Sequence, residues 1–251
     1  MTPEQMEAWK AERLQAEERR LEDTRNAIQL LQDEKPWIRY HRQLTPEAVG
    51  MYEARGLGEF WQEFWQLGLC ENRIIWDKDG QYFSNTLTIP VFASKDNAVN
   101  LRHRILSPRQ PSDKYRPEHK GLPASLFIAD YERKLSGRVL LVEGEFKAMT
   151  TFICADDPKL HVVGIPGKSP DLALLEQLKD CEPVYVCLDP DAYDRDPKQP
   201  NSPSAIERVV KVFRKRCRLL KLPDKIDDMV AAGIIGKQTI KALLNGAKIA
   251  M

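Results

Sequence analysis

Val139-Leu140-Leu141-Val142-Glu143-Gly144 and, further along, Val184-Tyr185-Val186-Cys187-Leu188-Asp189-Pro190-Asp191 are the two stretches that decide how this chain folds. Each is a short, unbroken apolar run that closes on acid. A run of this length, rich in valine and leucine and without polar alternation, reads as a strand buried on both faces. Working outward from residue 137, strand and helix signals alternate. The strand at 139–142 leads into a helical pattern at 146–154, a second strand at 161–165, a helix at 172–179 and the third strand at 184–188. An amphipathic basic helix at 205–217, a fourth strand at 218–222 and a helical tail at 227–246 follow. That alternation implies an α/β fold with a mostly parallel sheet and helical crossovers.

In an open parallel sheet, functional groups gather where strands end at their carboxyl termini, because the loops there form a crevice. Glu143 directly follows the first strand, and Gly144 leaves room for a tight turn into the next helix. Asp189 and Asp191 follow the third strand on either side of Pro190, and extended alternation turns both the same way, toward one hard cation. A third acidic element, Asp227-Asp228, follows the fourth strand through Pro223-Asp224-Lys225-Ile226. Several carboxylates brought together repel one another, and at least one pKa rises unless a cation neutralises them. A magnesium (or manganese) site is the simplest stable arrangement, and such an ion also binds phosphate oxygens.

Upstream, residues 2–34 are rich in Glu, Arg, Gln, Ala and Leu, with Pro3 suited to a first turn and no internal glycine or proline. One long helix is expected. Leu14, Leu21 and Ile28 recur at heptad spacing, but the positions completing a seam are charged. The helix is read as solvated, laying a narrow stripe on its neighbour, with a partner-binding arm as the alternative. Pro36 is read as its end. A second helix opens at Thr45-Pro46-Glu47 and closes at Arg55-Gly56-Leu57. Phe60, Trp61, Phe64, Trp65 and Leu67 fall at helical spacing and are read as core rather than as a base-stacking platform. Strands at 73–76, 87–92 and 99–106, with turns at Asp79-Gly80 and Asp96-Asn97, form a small antiparallel sheet. The expected organisation is a helix over 1–35, a smaller α+β subdomain over 36–136, and the acid-bearing α/β domain over 137–251.

A chain of 251 residues accommodates two compact units, and 42% hydrophobic with 30% charged content is that of a folded protein. The net charge is only +1, so attraction to nucleic acid has to come from a local patch. Arg102, Arg104, Arg109, Lys114, Arg116 and Lys120 supply one, in a segment whose prolines and serines suggest an exposed loop; contacts of this kind hold phosphates without reading sequence. A second basic group, Arg208, Lys211, Arg214, Lys215, Arg216 and Arg218, is read as a solvated face. The five cysteines show no metal-binding spacing and are read as reduced thiols in the cytoplasm. His41, His103, His119 and His161 show no ligand spacing and are treated as bystanders. No run is long enough to cross a bilayer.

Taken in order, Leu141-Val142-Glu143-Gly144, Leu188-Asp189-Pro190-Asp191 and Lys225-Ile226-Asp227-Asp228 resemble the glutamate, DxD and terminal acidic motifs of the Toprim fold, shared by DnaG-type primases, type IA and II topoisomerases and OLD-type nucleases. Gly164-Ile165-Pro166-Gly167 matches the loop after the second Toprim strand. The preceding Ala54-Arg55-Gly56-Leu57, Leu67-Gly68, Leu87-Thr88-Ile89-Pro90-Val91, Arg104-Ile105-Leu106, Lys114-Tyr115 and Leu126-Phe127 resemble the amino-terminal half of the DnaG polymerase domain, so the likeness covers 42–246. It implies a DNA primase-like nucleotidyltransferase that makes short RNA primers on single-stranded DNA from nucleoside triphosphates. Glu143, Asp189 and Asp191 would be catalytic, and these three with Asp227 and Asp228 would bind Mg2+ (or Mn2+). Arg104, Lys114, Arg116 and Lys147 would engage phosphates.

One position departs from the pattern. DnaG primases carry an aspartate one helical turn beyond the glutamate, and here that place is Lys147, as in phage and plasmid Toprim proteins. Lys147 could replace one cation's charge or bind phosphate itself. The zinc-binding template-recognition domain and helicase-binding domain of a DnaG primase do not fit in this length. Either those parts reside on other chains, with a separate zinc-binding template-recognition protein or a replicative helicase as expected partner, or the sequence is a fragment or a specialised phage or plasmid relative. The alternatives are a Toprim nuclease and a non-catalytic, nucleic-acid-binding replication accessory protein.

Overall fold

The structure, a computed structural model, describes residues 1–110, 113–167, 170–195, 197, 199 and 201–250. Its elements in chain order are α1 (Pro3–Glu34), α2 (Pro36–Arg42), α3 (Pro46–Glu53), α4 (Glu59–Phe64), β1 (Gly68–Asp77), β2 (Gly80–Ser94), β3 (Asn97–Ile105), β4 (Tyr115–Pro117) and β5 (Phe127–Ile128). Then come β6 (Gly137–Glu143), α5 (Glu145–Ala155), β7 (Leu160–Ile165), α6 (Leu172–Leu175), β8 (Cys181–Cys187), α7 (Ala205–Phe213), β9 (Cys217–Leu219), α8 (Ile226–Ala231), α9 (Lys237–Gly246) and β10 (Lys248–Ile249). They form two compact units. One comprises Met1–Leu44, Gln66–Pro90 and Asn97–Ala124, the other Thr45–Trp65, Val91–Asp96 and Ser125–Met251.

In the first unit, Thr2 and Gln5 cap α1 reciprocally and Pro3 occupies its first turn, as the sequence suggests. Only Ala27 and Leu31 of this helix are buried, while Leu14 and Leu21 are 59% and 47% exposed. The apolar stripe is therefore confined to the last turns, where Gln32 bonds Asn97 and the Ala98 carbonyl at the start of β3. Pro36 does more than end a helix: Lys35 turns into the left-handed region (φ 44°) and Pro36 opens α2, a helix the sequence reading did not contain. A proline that cannot continue one helix is well suited to begin the next. The antiparallel sheet runs in the order β1-β2-β3-β4, and β1 and β2 join at the Asp77↔Gly80 pair, with Gly80 at φ 105°.

In the second unit, the sheet order is β10-β9-β8-β6-β7-β5, with the four inner strands parallel and the short edge strands β10 and β5 antiparallel. The edge strands were not legible as such. Val139, Leu141, Val163, Ile165, Val184 and Val186 form one buried cluster with Leu175, Leu178, Ile206, Val209 and Phe213, so α6 and α7 cover that face of the sheet. Gly164 approaches Ala148 on α5, which covers the other. Burial on both faces explains why β6 carries no polar alternation; each fully buried aliphatic side chain contributes about 1.5–3 kcal/mol. Trp65 is fully buried and donates to the Ala129 carbonyl at 2.8 Å, but Phe60, expected in the core, is 68% exposed. The helix α4 is only six residues long, and one face of it packs.

The chain runs from β6 through α5 to β7 on one side, then returns through α6 to β8 on the other side of β6. The direction of winding thus reverses at β6. At such a switch point adjacent loops leave in opposite directions and open a crevice at the carboxyl ends of the strands, here β6 and β8.

Candidate active site

Glu143 is the last residue of β6 and pairs with Ile165 of β7. Gly144 follows at φ 84°, ψ 166°, a conformation closed to side chains. Its N–H bonds the Ile165 carbonyl at 2.8 Å, and its own carbonyl accepts from Ala148 at 3.2 Å in the first turn of α5. A methyl group on Gly164 would sit 2.5 Å from the Gly144 oxygen, so this turn lies directly on β7 only because residue 164 is glycine. Gly164 and Ile165 belong to the strand itself, and the loop begins after them. The glycine serves close packing of backbones at the site rather than a turn of its own.

Asp189 follows β8 and starts a single turn of 3-10 helix over Pro190–Tyr193, in which Asp191 takes part. One carboxylate oxygen from each of Glu143, Asp189 and Asp191 lies within 4.8 Å of the other two. Asp189 is buried, Glu143 half-buried and Asp191 exposed, so the group opens to solvent on one side. Two oxygens on one magnesium stand at most about 4.2 Å apart, given bonds of about 2.1 Å. Three hard oxygen donors are the set that Mg2+ and Mn2+ prefer, and binding one ion requires the carboxylates to close in from this spacing.

Lys147 lies one turn along α5, its Nζ 3.1 Å from Asp189 Oδ2. Burial alone would lower its pKa, but Asp189, Asp227 and Glu143 together outweigh that and raise it, so the side chain is a firm cation. Asp189 moves the other way from most paired carboxylates. Burial raises its pKa, assisted by Asp227, and Lys147 and Lys225 only partly offset the effect. Beneath it, burial and the Asp189 charge push the Cys187 thiol up to about 12, which keeps it neutral.

The third acidic element stands apart from this trio. Asp227 is in the first turn of α8, with Oδ2 3.7 Å from an Arg55 nitrogen; Asp228 beside it is exposed. The Arg55 guanidinium lies 4.7 Å over the Phe146 ring, the residue before Lys147. Asp227 is therefore near enough to raise the pKa values of Lys147 and Asp189 while being held by its own cation. Arg55 is the site residue that sequence reasoning missed. It stood in view as the close of a helix, and nothing local signals a pairing across more than half the chain.

The expected phosphate-binding cations belong to the other compact unit: Arg104 to β3, Arg116 to β4, and Lys114, exposed, to the residue before β4. Both terminal nitrogens of Arg116 bond the two Asp113 oxygens, and the guanidinium also donates to the Tyr115 carbonyl at 3.0 Å. Within the second basic group, Arg216 donates to the carbonyls of Leu178, Lys179 and Cys181, while Arg208, Lys211, Arg214 and Lys215 are exposed. Two histidines are more than bystanders: His103 is buried against Glu118, and His161 bonds Asp130. No helix among the described residues is long and apolar enough to cross a membrane.

No protein-family model and no curated protein matches this chain. Solved structures do. A DnaG primase catalytic domain bound to single-stranded DNA superposes with a TM-score of 0.64 at 18% identity, over 90% of this chain and 83% of that one. The Escherichia coli primase catalytic core gives 0.64 at 16% identity, over 89% and 80%. The zinc-binding and RNA polymerase domains of the Aquifex aeolicus primase give 0.63 at 16% identity, over 92% of this chain but 62% of that one. With its mixed α/β architecture, its parallel-rich sheet and its long amino-terminal helix, this chain has the fold of the DnaG-type primase catalytic core.

Proposed function

We propose that this protein is a primase-type nucleotidyltransferase that joins nucleoside triphosphates into short RNA primers on single-stranded DNA. The observation that carries the reading is the meeting of Glu143, Asp189 and Asp191 within 4.8 Å at the switch point of a DnaG-like sheet. Glu143, Asp189 and Asp191 would hold Mg2+ or Mn2+, with Asp227 and Asp228 at its margin. Bound there, the ion would offset charge on triphosphate oxygens as a 3′-hydroxyl attacks. Asp189, buried and ion-paired to Lys147, keeps its carboxylate fixed, while exposed Asp191 leaves the solvent side open for a nucleotide. Arg104, Lys114 and Arg116 would contribute phosphate contacts, which supply affinity independent of sequence. A separate zinc-binding template-recognition protein and a replicative helicase are the partners proposed with it.

The test is incubation of the protein with Mg2+ or Mn2+, single-stranded DNA and labelled ribonucleoside triphosphates. New labelled oligomers are expected. Shortened DNA would instead show a nuclease, and DNA binding without either product an accessory protein.

A further inference from the structure

We infer that the outward face of the antiparallel sheet in the first unit is a stacking surface for single-stranded DNA, with Trp76 and Phe83 as its rings. This rests on the template half of the proposed function and goes beyond it, because it assigns base contacts that neither the acidic trio nor the phosphate-binding cations supply. Ile74 and Phe83 are directly opposed across β1 and β2, and Trp76 lies two residues on from Ile74, so alternation turns all three to the same side. They are 49%, 63% and 67% exposed. The other side is packed: Ile75, Ser84 and Thr86 are buried, and Thr86 bonds the buried His103 of β3 at 2.7 Å. Since His103 lies on that inner side, its neighbours Arg102 and Arg104 share the outward face with the rings. There Arg104 opposes Tyr115 of β4, and the Arg102 guanidinium lies 5.0 Å over the Tyr115 ring.

Area, edge and charge together select the occupant. Two rings of about 150–250 Å² each, about two-thirds open, offer about 200–300 Å², whereas a stable contact with a second copy buries about 800 Å² a side. The edge of β1 is already engaged. Arg73 donates to the Pro117 and Glu118 carbonyls at 3.1 and 2.8 Å, and Arg116 to the Trp76 carbonyl at 3.4 Å, so side chains tie β1 to β4 where another strand would have to add. The charge on the face is positive: β2 holds no charged residue, Arg102 and Arg104 are the charged groups that β3 turns outward, and Lys78 in the turn between β1 and β2 is exposed. Every base has a π-face and every nucleotide a phosphate, so rings at one end of a sheet and guanidinium groups at the other suit a single strand of any sequence. Four strands at about 4.8 Å each span about 14 Å, the length of about four stacked nucleotides. A duplex keeps its bases stacked on one another and cannot use the rings.

The test is binding of a short labelled oligothymidylate to the full chain, followed by fluorescence anisotropy across a salt series, without divalent metal or nucleoside triphosphates. Wild type is expected to bind it about tenfold or more tightly than an abasic oligomer with the same number of phosphates, and more tightly than a duplex. Trp76→Ala combined with Phe83→Ala should lose about tenfold or more for oligothymidylate, with the abasic oligomer bound as before and the slope of affinity against salt unchanged. Trp76→Phe combined with Phe83→Tyr, which keeps two rings, should restore most of the loss. Equal binding of oligothymidylate by wild type and the alanine variant, or of oligothymidylate and the abasic oligomer by wild type, overturns the inference and leaves the proposed activity standing. A wild-type dimer in sedimentation that the alanine variant loses gives the face to a second copy and also overturns it. A chain that makes no primers yet shows the base preference, and loses it in the alanine variant, supports the stacking surface and removes the activity alone. The wild-type comparison with the abasic oligomer depends on no variant folding.

Discussion

Two clusters of charge, one in each compact unit, use the same residue types to opposite ends. In the first unit Glu118 is enclosed by donors: Tyr40 at 3.0 Å, Arg73 at 2.8 Å and the His103 imidazole. Its pKa is held down at about 2 despite burial, because His103, Arg73 and Tyr40 all favour the carboxylate. His103 is itself kept neutral by burial, and it bonds Thr86 through its other nitrogen at 2.7 Å. In the second unit Asp189 is held above its ordinary range by burial, with Asp227 assisting and Lys147 and Lys225 only partly offsetting the effect. A satisfied cluster stores stability. One that leaves a carboxylate raised at a strand-end crevice gives up stability and keeps affinity for a cation.

The sharpest way to break that contrast is to neutralise the second cluster. Asp189→Asn combined with Asp191→Asn should reduce metal-dependent turnover at least a thousandfold, about 4 kcal/mol of barrier, without lowering the melting temperature in the absence of metal. A variant that stayed active would show that these acids do no chemistry. Removing the acid of the first cluster should do the reverse. Glu118→Ala leaves Arg73, Tyr40 and His103 without their common partner and should cost about 3–5 kcal/mol in chemical denaturation, with residual metal binding retained in the folded fraction.

The two clusters should also respond to pH with opposite sign. Glu118 has its pKa lowered from 4.5 to about 2, so its contribution of about 3 kcal/mol is present above 4.5 and disappears as pH falls toward 2. His103, also lowered, adds to the loss below its ordinary 6.5. Asp189 is raised above 3.8, so metal-free protein loses stability around this group as pH rises past that value. Amide exchange resolved by residue across an acid titration separates the two; parallel changes in both units would contradict the assignment. The smallest effect is mechanical. Gly164→Ala should cost about 1–3 kcal/mol and weaken Mn2+ binding by pushing the Glu143 turn off β7, whereas Gly50→Ala, with open space around it, should be neutral or slightly stabilising.

How much of this was legible depends on whether the signal was local. The strands leading to Glu143 and Asp189, and the helices between them, followed from apolar runs and their punctuation, and a mostly parallel sheet followed from that alternation; the order of its strands did not. The convergence of the first two acidic turns could be anticipated because parallel strands present their ends together. Arg55 and Asp227 could not be paired in advance, since their approach depends on how α8 lies against the turn after α3. Lys147 was visible as a departure, but only its distance to Asp189 shows what it does. The Glu118 cluster was missed for the same reason: His103 lies on β3, Glu118 just past the end of β4, and Tyr40 on a helix far earlier in the chain. Edge strands of two residues, β5 and β10, carry too little periodicity to be read.

The most direct measurement is anomalous diffraction from crystals soaked in manganese. The account predicts one peak within bonding distance, about 2.2 Å, of oxygens from Glu143, Asp189 and Asp191. A cluster that stays empty at saturating manganese, or a peak that leaves out Glu143, would contradict it.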